Sequence, residues 1–114
     1  MKYLCLVYLA AEHEFSCPDS DCAAYAEQLQ ASGRMLAAEA LQPIQTATTV
    51  RMRNGRMTVT DGPFAETKEQ LAGFYLIEAN DLNEAILVAA KIPPAKFGSV
   101  EVRPVRALSG TVSA

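Results

Sequence analysis

Long apolar runs open the chain and return in its last third. Residues 2–9 and residues 73–79 carry apolar side chains on both faces of an extended strand. Such a run is typical of a strand that is covered on both sides, so we place the first one at the centre of a sheet. Two further apolar stretches, 35–41 and 99–105, predict two more strands. Pro104 marks the last of them as an edge strand or a strand end.

The segment after the first strand has the period of an amphipathic helix. Ser16 resembles an N-cap with Pro18 near the first turn, and Gly33 is placed to end the helix. The stripe predicted to be buried, at spacing i, i+3, i+4 and i+7, is Cys22, Tyr25, Ala26 and Leu29.

A second helix is predicted between the strand at 73–79 and the strand at 99–105. Asp81 and Glu84 form a capping-box pattern before it, and Pro93-Pro94 stops it. Its predicted buried stripe is Leu82, Ala85, Ile86 and Ala89.

Asn54-Gly55 is a strong signal for a two-residue hairpin turn between residues 46–53 and 56–60. A turn of that length pairs Arg53 with Arg56, Met52 with Met57, and Val50 with Val59. The apolar pairs then share one face of the hairpin, and the arginines share the other.

The resulting order of elements is β-α-β, a hairpin, and β-α-β. This order predicts an α+β fold, a ferredoxin-like split βαβ with an inserted β-hairpin. Two helices can cover only one face of such a sheet, although the clearest strands are apolar on both faces. We therefore expect a second copy to cover the other face, so that a homodimer forms a dimeric α/β barrel.

The composition excludes several classes of protein. The chain has 114 residues, which predicts one domain, and its net charge is −3. A chain with this acidic balance binds nucleic acid or an anionic membrane surface poorly. The hairpin arginines are therefore interpreted as a solvent-exposed strand edge. The opening apolar run is too short to span a bilayer, and the predicted location is the cytoplasm.

The three cysteines do not form a recognisable disulfide framework. Their number is odd and no CxxC is present, which favours reduced thiols. The spacing of His13, Cys17 and Cys22 matches no standard zinc pattern, so we predict neither a metal nor another cofactor.

The run from Asp61 to Tyr75, DGPFAETKEQLAGFY, resembles the DGPF branch of the YCII-related family. The segments 1–8, 36–43 and 92–104 are similar to that family as well. The resemblance covers a domain at residues 1–106 and leaves 107–114 as a flexible C-terminal tail. It implies a dimeric ferredoxin-like α/β barrel with a cleft in each subunit. It also implies membership of a family in which some members act on small molecules through a His-Asp pair.

One residue departs from the pattern of the family. The related proteins place a histidine on the first helix, at a position that falls near Cys22 here. The single histidine of this chain, His13, lies in the loop before that helix. Some members are encoded beside extracytoplasmic-function sigma factors, so the resemblance also implies a sigma factor as an alternative partner.

Asp61 and Glu39 are the candidate catalytic residues. Asp61 follows a strand beside a rigid Gly-Pro turn, where it is either a general base or a turn aspartate that binds its own backbone. Glu39 interrupts an apolar strand, where it faces either a cleft or solvent. If both carboxylates face one cleft, each raises the pKa of the other, which suits acid/base chemistry.

Four further residues are candidates for ligand binding. Phe64 and Tyr75 either form an aromatic wall for a small ligand or pack in the core or a dimer contact. Glu66 and Lys68 are candidates because they lie in the motif that resembles the family. Two functions remain open. One is a small-molecule-binding protein or small enzyme of lyase, isomerase or hydrolase type, and the other is a non-catalytic ligand-binding or regulatory module.

Overall fold

The computed structural model describes residues 1–108. Its strands are β1 Lys2–Ala10, β2 Met35–Ala40, β3 Thr48–Arg53, β4 Arg56–Asp61, β5 Glu69–Glu78 and β6 Ser99–Pro104. Its helices are α1 Asp19–Ala31 and α2 Leu82–Ala90, joined to the strands through three short 3-10 turns at Ala11–His13, Ile44–Thr46 and Pro93–Lys96. Of the predicted tail, residues 109–114 lie outside the described residues.

Four of these strands form one antiparallel sheet in the order β2-β5-β1-β6. Each helix connects two strands that lie on either side of a third, as a split βαβ unit requires. The predicted ferredoxin-like fold with an inserted hairpin is therefore confirmed. β1 is central, and β6 is an edge strand that ends at Pro104.

The hydrophobic core lies between the sheet and the two helices. Alternate residues of β1 are buried there, and they pack with residues of β5 and both helices. The members of this core are Tyr3, Cys5, Val7, Leu29, Tyr75, Ile77, Ala79, Ala85, Val88, Ala89 and Ile92. The Tyr25 hydroxyl on α1 donates to the Val88 carbonyl on α2 at 2.8 Å, which ties the two helices together.

The other sheet face is apolar but has no covering element in the described chain. Leu4 pairs with Leu76 and Leu6 with Phe74 across β1 and β5, and all four side chains are half-buried. Tyr8 continues this row along β1. We call Leu4, Leu6, Tyr8, Phe74 and Leu76 the open face.

The hairpin adopts the register that Asn54-Gly55 predicts. Arg53 pairs with Arg56, Met52 with Met57 and Val50 with Val59, while Asn54 and Gly55 have φ of 52° and 73°. Positive φ at both central residues is the signature of a type I′ turn. The hairpin forms its own two-stranded sheet, and its residues other than the half-buried Thr49 are exposed.

The ends of the helices confirm two of the predicted signals and correct one. Gly33 has φ of 80° and follows the C-cap residue Ser32 of α1, and the Asp81 side chain accepts from the Glu84 amide at 2.9 Å at the start of α2. The N-cap predicted at Ser16 is wrong, because α1 begins at Asp19 with Pro18 in the cap position. A 3-10 turn occupies residues 11–13, and the Ser16 hydroxyl contacts His13 at 3.2 Å instead.

The buried stripe predicted for α2 is rotated. Ala85 and Ala89 are buried as expected, whereas Leu82 and Ile86 are about half exposed and Val88 is buried in their place. α2 is apolar on almost every side, so its period alone does not select the face that meets the sheet.

β5 also begins earlier than the apolar run indicates. Gln70 and Leu71 already pair with Leu9 and Tyr8 of β1, beyond a register shift between Val7 and Tyr8. Backbone pairing with β1 therefore extends the strand back to Glu69, through residues that lack the alternation of a strand.

Candidate functional site

A cavity of about 500 Å³ opens between the first half of α1 and the ends of β1, β2 and β5. Its wall consists mainly of apolar residues from these elements and from the segments before α1, after β2 and after α2. They include Val7, Leu9, Ala10, Phe15, Cys17, Cys22, Ala23, Ala26, Ala38, Ala40, Leu41, Pro43, Ile44, Leu71, Gly73, Phe74, Tyr75 and Pro94.

Small residues on facing elements leave this space open. Ala23 and Ala26 of α1 lie across from Ala38 of β2, and Gly73 of β5 adds no side chain. Gly73 also lets β2 approach closely, because a Cβ atom there would lie 2.8 Å from the Glu39 carbonyl oxygen. A helix and a sheet normally interdigitate larger side chains at such a contact.

Several polar residues border the apolar wall. Glu14 and Asp19 lie near the start of α1, and Gln42 and Gln70 lie at the strand ends. The polar residues of the lining are far fewer than the apolar ones. A mainly apolar wall with a few polar groups is the usual composition of a site for a small organic ligand.

Tyr75 lies in the wall with its ring buried. It makes an edge-to-face contact with Tyr25, with ring centroids 6.1 Å apart. Burial raises the pKa of Tyr75 to about 12, with the nearby Cys22 as a further cause. Tyr75 is therefore a neutral phenol at physiological pH.

Cys17 and Cys22 are both part of the wall, and their sulfur atoms lie 3.5 Å apart. Burial raises the pKa of Cys22 to about 11, and its contact with Cys17 adds to that shift. His13 is not part of this pair. Its ring stacks on Phe97 at 5.8 Å between centroids, and its Nδ1 atom lies 3.2 Å from the Ser16 hydroxyl.

The structure separates the six residues that the sequence nominates. Glu39 and Tyr75 belong to the lining of the cavity. Within residues 1–108 the lining does not include Asp61, Phe64, Glu66 or Lys68.

Glu39 and Tyr75 lie on opposite faces of the sheet. Glu39 pairs with Phe74, whereas its neighbour Ala38 pairs with Tyr75. Because strand residues alternate between faces, Glu39 shares the open face and Tyr75 shares the helix face. Glu39 is exposed and therefore lies at the border of the cavity rather than at its centre.

Asp61 and the residues of its motif lie at the end of the hairpin and in the segment that follows it. Asp61 is the last residue of β4 and pairs with Thr48, and Gly62 follows with φ of 105°. The Gly62 amide donates to the Ala47 carbonyl and the Thr49 hydroxyl donates to the Gly62 carbonyl, so this turn closes the base of the hairpin. Phe64 is 79% exposed in the segment that follows. Glu66 and Lys68 are exposed there as well.

Sequence reasoning missed Phe15 and Asp19 as wall residues. Both lie near the start of α1, where the chain turns back over the sheet. Their side chains carry no local pattern that marks a site. The repeated alanines of α1 and β2 were the one available signal, since small residues on both partners of a contact leave room for a ligand.

Fold and cavity together define a ferredoxin-like α+β protein with an apolar cavity between its first helix and its sheet. A family model described as the YCII-related domain matches residues 1–109. The chain belongs to the YCII-related family.

The chain is similar to a bacterial protein and to a solved structure. An uncharacterised protein of Rhizobium meliloti (strain 1021) is 47% identical over 75 residues, which are 64% of this chain and 60% of that protein. The chain therefore matches less than two thirds of that relative's length. A solved structure of 5-chloro-2-hydroxyhydroquinone dehydrochlorinase from Burkholderia phenoliruptrix AC1100, in complex with 2,5-dihydroxybenzoquinone, has a TM-score of 0.57. It is 15% identical, and the match covers 93% of this chain and 94% of that one.

Among residues 1–108, no helix has both the length and the apolar character needed to cross a membrane.

Proposed function

We propose that the protein binds a small, mainly apolar molecule in the cavity between α1 and the sheet. The observation that carries this proposal is the cavity itself, whose volume is about 500 Å³ and whose wall is mainly apolar. Sites for small organic ligands usually have volumes of about 300–1,000 Å³ with a few polar groups at their border. Glu14, Asp19 and Gln70 are such border groups.

A ring compound that carries oxygen atoms suits this wall. Tyr75 offers an aromatic surface and a neutral phenol, and the alanines of α1 and β2 leave a gap between two elements. The structural neighbour, which shares the fold, was solved with 2,5-dihydroxybenzoquinone. We therefore take hydroxylated benzenes and benzoates, together with that quinone, as the first panel of probes.

Ala23→Trp is expected to abolish the binding of every probe that stabilises the wild type. Ala23 lies in the wall but is exposed to solvent, so an indole there enters the cavity without displacing the core. A ligand that binds only the folded state raises the melting temperature by mass action, so the measurement is a thermal-shift screen.

The matched control for that variant is Ala24→Trp. Ala24 is the next residue on α1, is also exposed and is not a lining residue of this cavity. The control should keep the shift of the wild type. Equal loss in both variants, or retention in both, would place the ligand elsewhere.

We also propose carboxylate acid/base chemistry by Glu39 and Asp61 as the catalytic form of this function. Glu39 lies at the border of the cavity, and Asp61 lies at the base of the hairpin. Of the two, only Glu39 belongs to the lining of the cavity, so in a shared role a ligand or a second copy would bring the two carboxylates together. Phe64, Glu66 and Lys68 follow Asp61 on the same exposed segment and would contact the ligand in that arrangement.

If this chemistry operates, Glu39→Gln or Asp61→Asn should lower the turnover of a bound probe by about 10²–10⁴, the usual contribution of a general acid or base. Neither change should weaken binding to the same extent, because neither alters the apolar wall. Turnover is followed by chromatography of the recovered probe. Activity that persists in both variants would rule out the acid/base roles and leave binding untouched.

A non-catalytic module, regulatory in the cytoplasm and linked to a sigma factor, is the second candidate. Its support is that Cys22 lies in the wall at the place where the family resemblance implies a histidine. Burial raises the pKa of this thiol, so Cys22 does not replace a histidine base. A probe that binds and is recovered unchanged by the wild type would favour this alternative.

A homodimer is proposed in which the open faces of two copies pack against each other. The open face is continuous across the two central strands, and the exposed Val50, Met52, Met57 and Val59 lie along one side of the projecting hairpin. Glu101 and Arg103 flank this face on β6, so the patch has charges of both signs at its rim. A two-fold axis brings the same patch of each copy together and requires such self-complementarity.

A further inference from the structure

We propose that Cys17 and Cys22 are a dithiol that a hydroperoxide oxidises to an intramolecular disulfide in the wall of the cavity. Their sulfur atoms already lie 3.5 Å apart, in direct contact. A disulfide requires a separation of about 2.05 Å, which side-chain rotation and a small backbone movement supply. Both residues are only partly buried and both line the cavity, so a small oxidant reaches them.

The local structure explains why these two cysteines meet. Cys22 lies in the first turn of α1, and its amide donates to the Pro18 carbonyl. Cys17 lies just before the cap residue Pro18, where the chain is not yet helical. The turn at Pro18 folds the residue before α1 back onto the first turn, so positions five residues apart bring their side chains together.

The third cysteine is unsuited to this reaction. Cys5 is fully buried in the core on β1, and burial raises the pKa of its thiol to about 11. A buried, protonated thiol is inert toward oxidants. Cys5 therefore serves as an internal reference.

The order of the two steps follows from the environments. Cys17 lies outside the helix, before the cap residue Pro18, and burial raises the pKa of the Cys22 thiol to about 11 and keeps that thiol protonated, so we assign the first attack to Cys17. The Cys17 thiolate attacks one oxygen of the hydroperoxide, the O–O bond breaks, and a sulfenic acid and an alcohol or water are formed. The sulfur of Cys22 then attacks the sulfur of Cys17, and the proton of its thiol leaves with the hydroxyl group as water. Two thiols are oxidised by two electrons in total, and the hydroperoxide is reduced.

The bond changes the cavity as well as the sulfur atoms. It fixes the end of the segment that carries Phe15 to the first turn of α1, and both form part of the wall. A reducing dithiol reverses the change by thiol–disulfide exchange.

The test is intact-mass and peptide analysis of the full chain after treatment with hydrogen peroxide. The wild type is expected to lose two hydrogens and retain one free thiol, and dithiothreitol should restore all three thiols. Digestion after acidic residues cuts at Asp19 and Asp21, between the two cysteines, so only a Cys17–Cys22 disulfide joins the two resulting peptides.

Single variants separate this reaction from unspecific oxidation. Cys5→Ala should leave disulfide formation unchanged. Cys22→Ser should stop at a sulfenic acid on Cys17 that dimedone labels. In the Cys17→Ser variant, dimedone should label Cys22 at least about tenfold more slowly than it labels Cys17 in the Cys22→Ser variant, because little Cys22 thiolate is present.

A wild type that keeps three free thiols where free glutathione is oxidised would overturn the proposal. Bonds between chains, or bonds that include Cys5, would overturn it as well. The readout is mass and does not depend on any ligand, so its failure is distinct from the failure of the proposed ligand site.

Discussion

Leu6→Glu is expected to convert a dimer into monomers at micromolar concentration. Leu6 lies on β1, a central strand, and pairs with Phe74 on one side and Glu101 on the other. In the proposed dimer its side chain is buried against a second copy of the same face. A carboxylate there loses its hydration without gaining a partner, which weakens association by at least about 100-fold, or about 2.7 kcal/mol.

The measurement is mass by light scattering with chromatography, over a range of concentrations. Leu87→Glu is the matched control, because it is the same substitution at an exposed residue of α2. Circular dichroism should show that both variants remain folded. A wild type that is already monomeric, or a Leu6→Glu variant that stays dimeric, would show that the open face is not the interface.

Gly98→Ala is expected to lower the free energy of unfolding by about 3 kcal/mol or more, in the upper range for single substitutions. A Cβ atom at residue 98 would lie 1.9 Å from the Tyr8 carbonyl oxygen and 2.9 Å from the Leu9 side chain. The nearest obstruction is backbone of a central strand, which cannot rotate away. Relief therefore requires that β6 and β1 separate at Tyr8 and Ser99, the pair next to Gly98.

Urea denaturation followed by circular dichroism measures this cost. Lys96→Ala is a suitable control, because Lys96 is exposed in the turn before Gly98. It should change the free energy of unfolding by less than about 0.5 kcal/mol, as is usual for a surface residue. A Gly98→Ala variant as stable as this control would mean that β6 does not pack this closely on β1.

Local patterns predicted much of the fold because the interactions behind them are local. Asn54-Gly55 adopts positive φ wherever it joins two strands, so it fixed both the turn and the pairing of Val50 with Val59. Asp81 caps α2 through a hydrogen bond to a residue three positions away, which is visible in the sequence. Alternation in β1 identified both of its faces, although it could not say which of them the helices cover.

Errors arose where several elements decide together. α2 is apolar nearly all round, so contact with the sheet selected Val88 over Leu82 and Ile86. Pairing with β1 extended β5 back to Glu69 through residues without a strand pattern. Neither result can be read from the segment alone, because each depends on a partner that is distant in the chain.

The candidate site depended still more on tertiary structure. The amino-acid sequence by itself determined the ferredoxin-like order of elements, the hairpin register and the presence of two apolar sheet faces. Only the packing of α1 on β2 and β5 decided that alanines meet there and leave a cavity. Within residues 1–108, the same packing brought Glu39 to the border of that cavity and left Asp61 outside its lining, because the lining depends on how whole elements lie against one another.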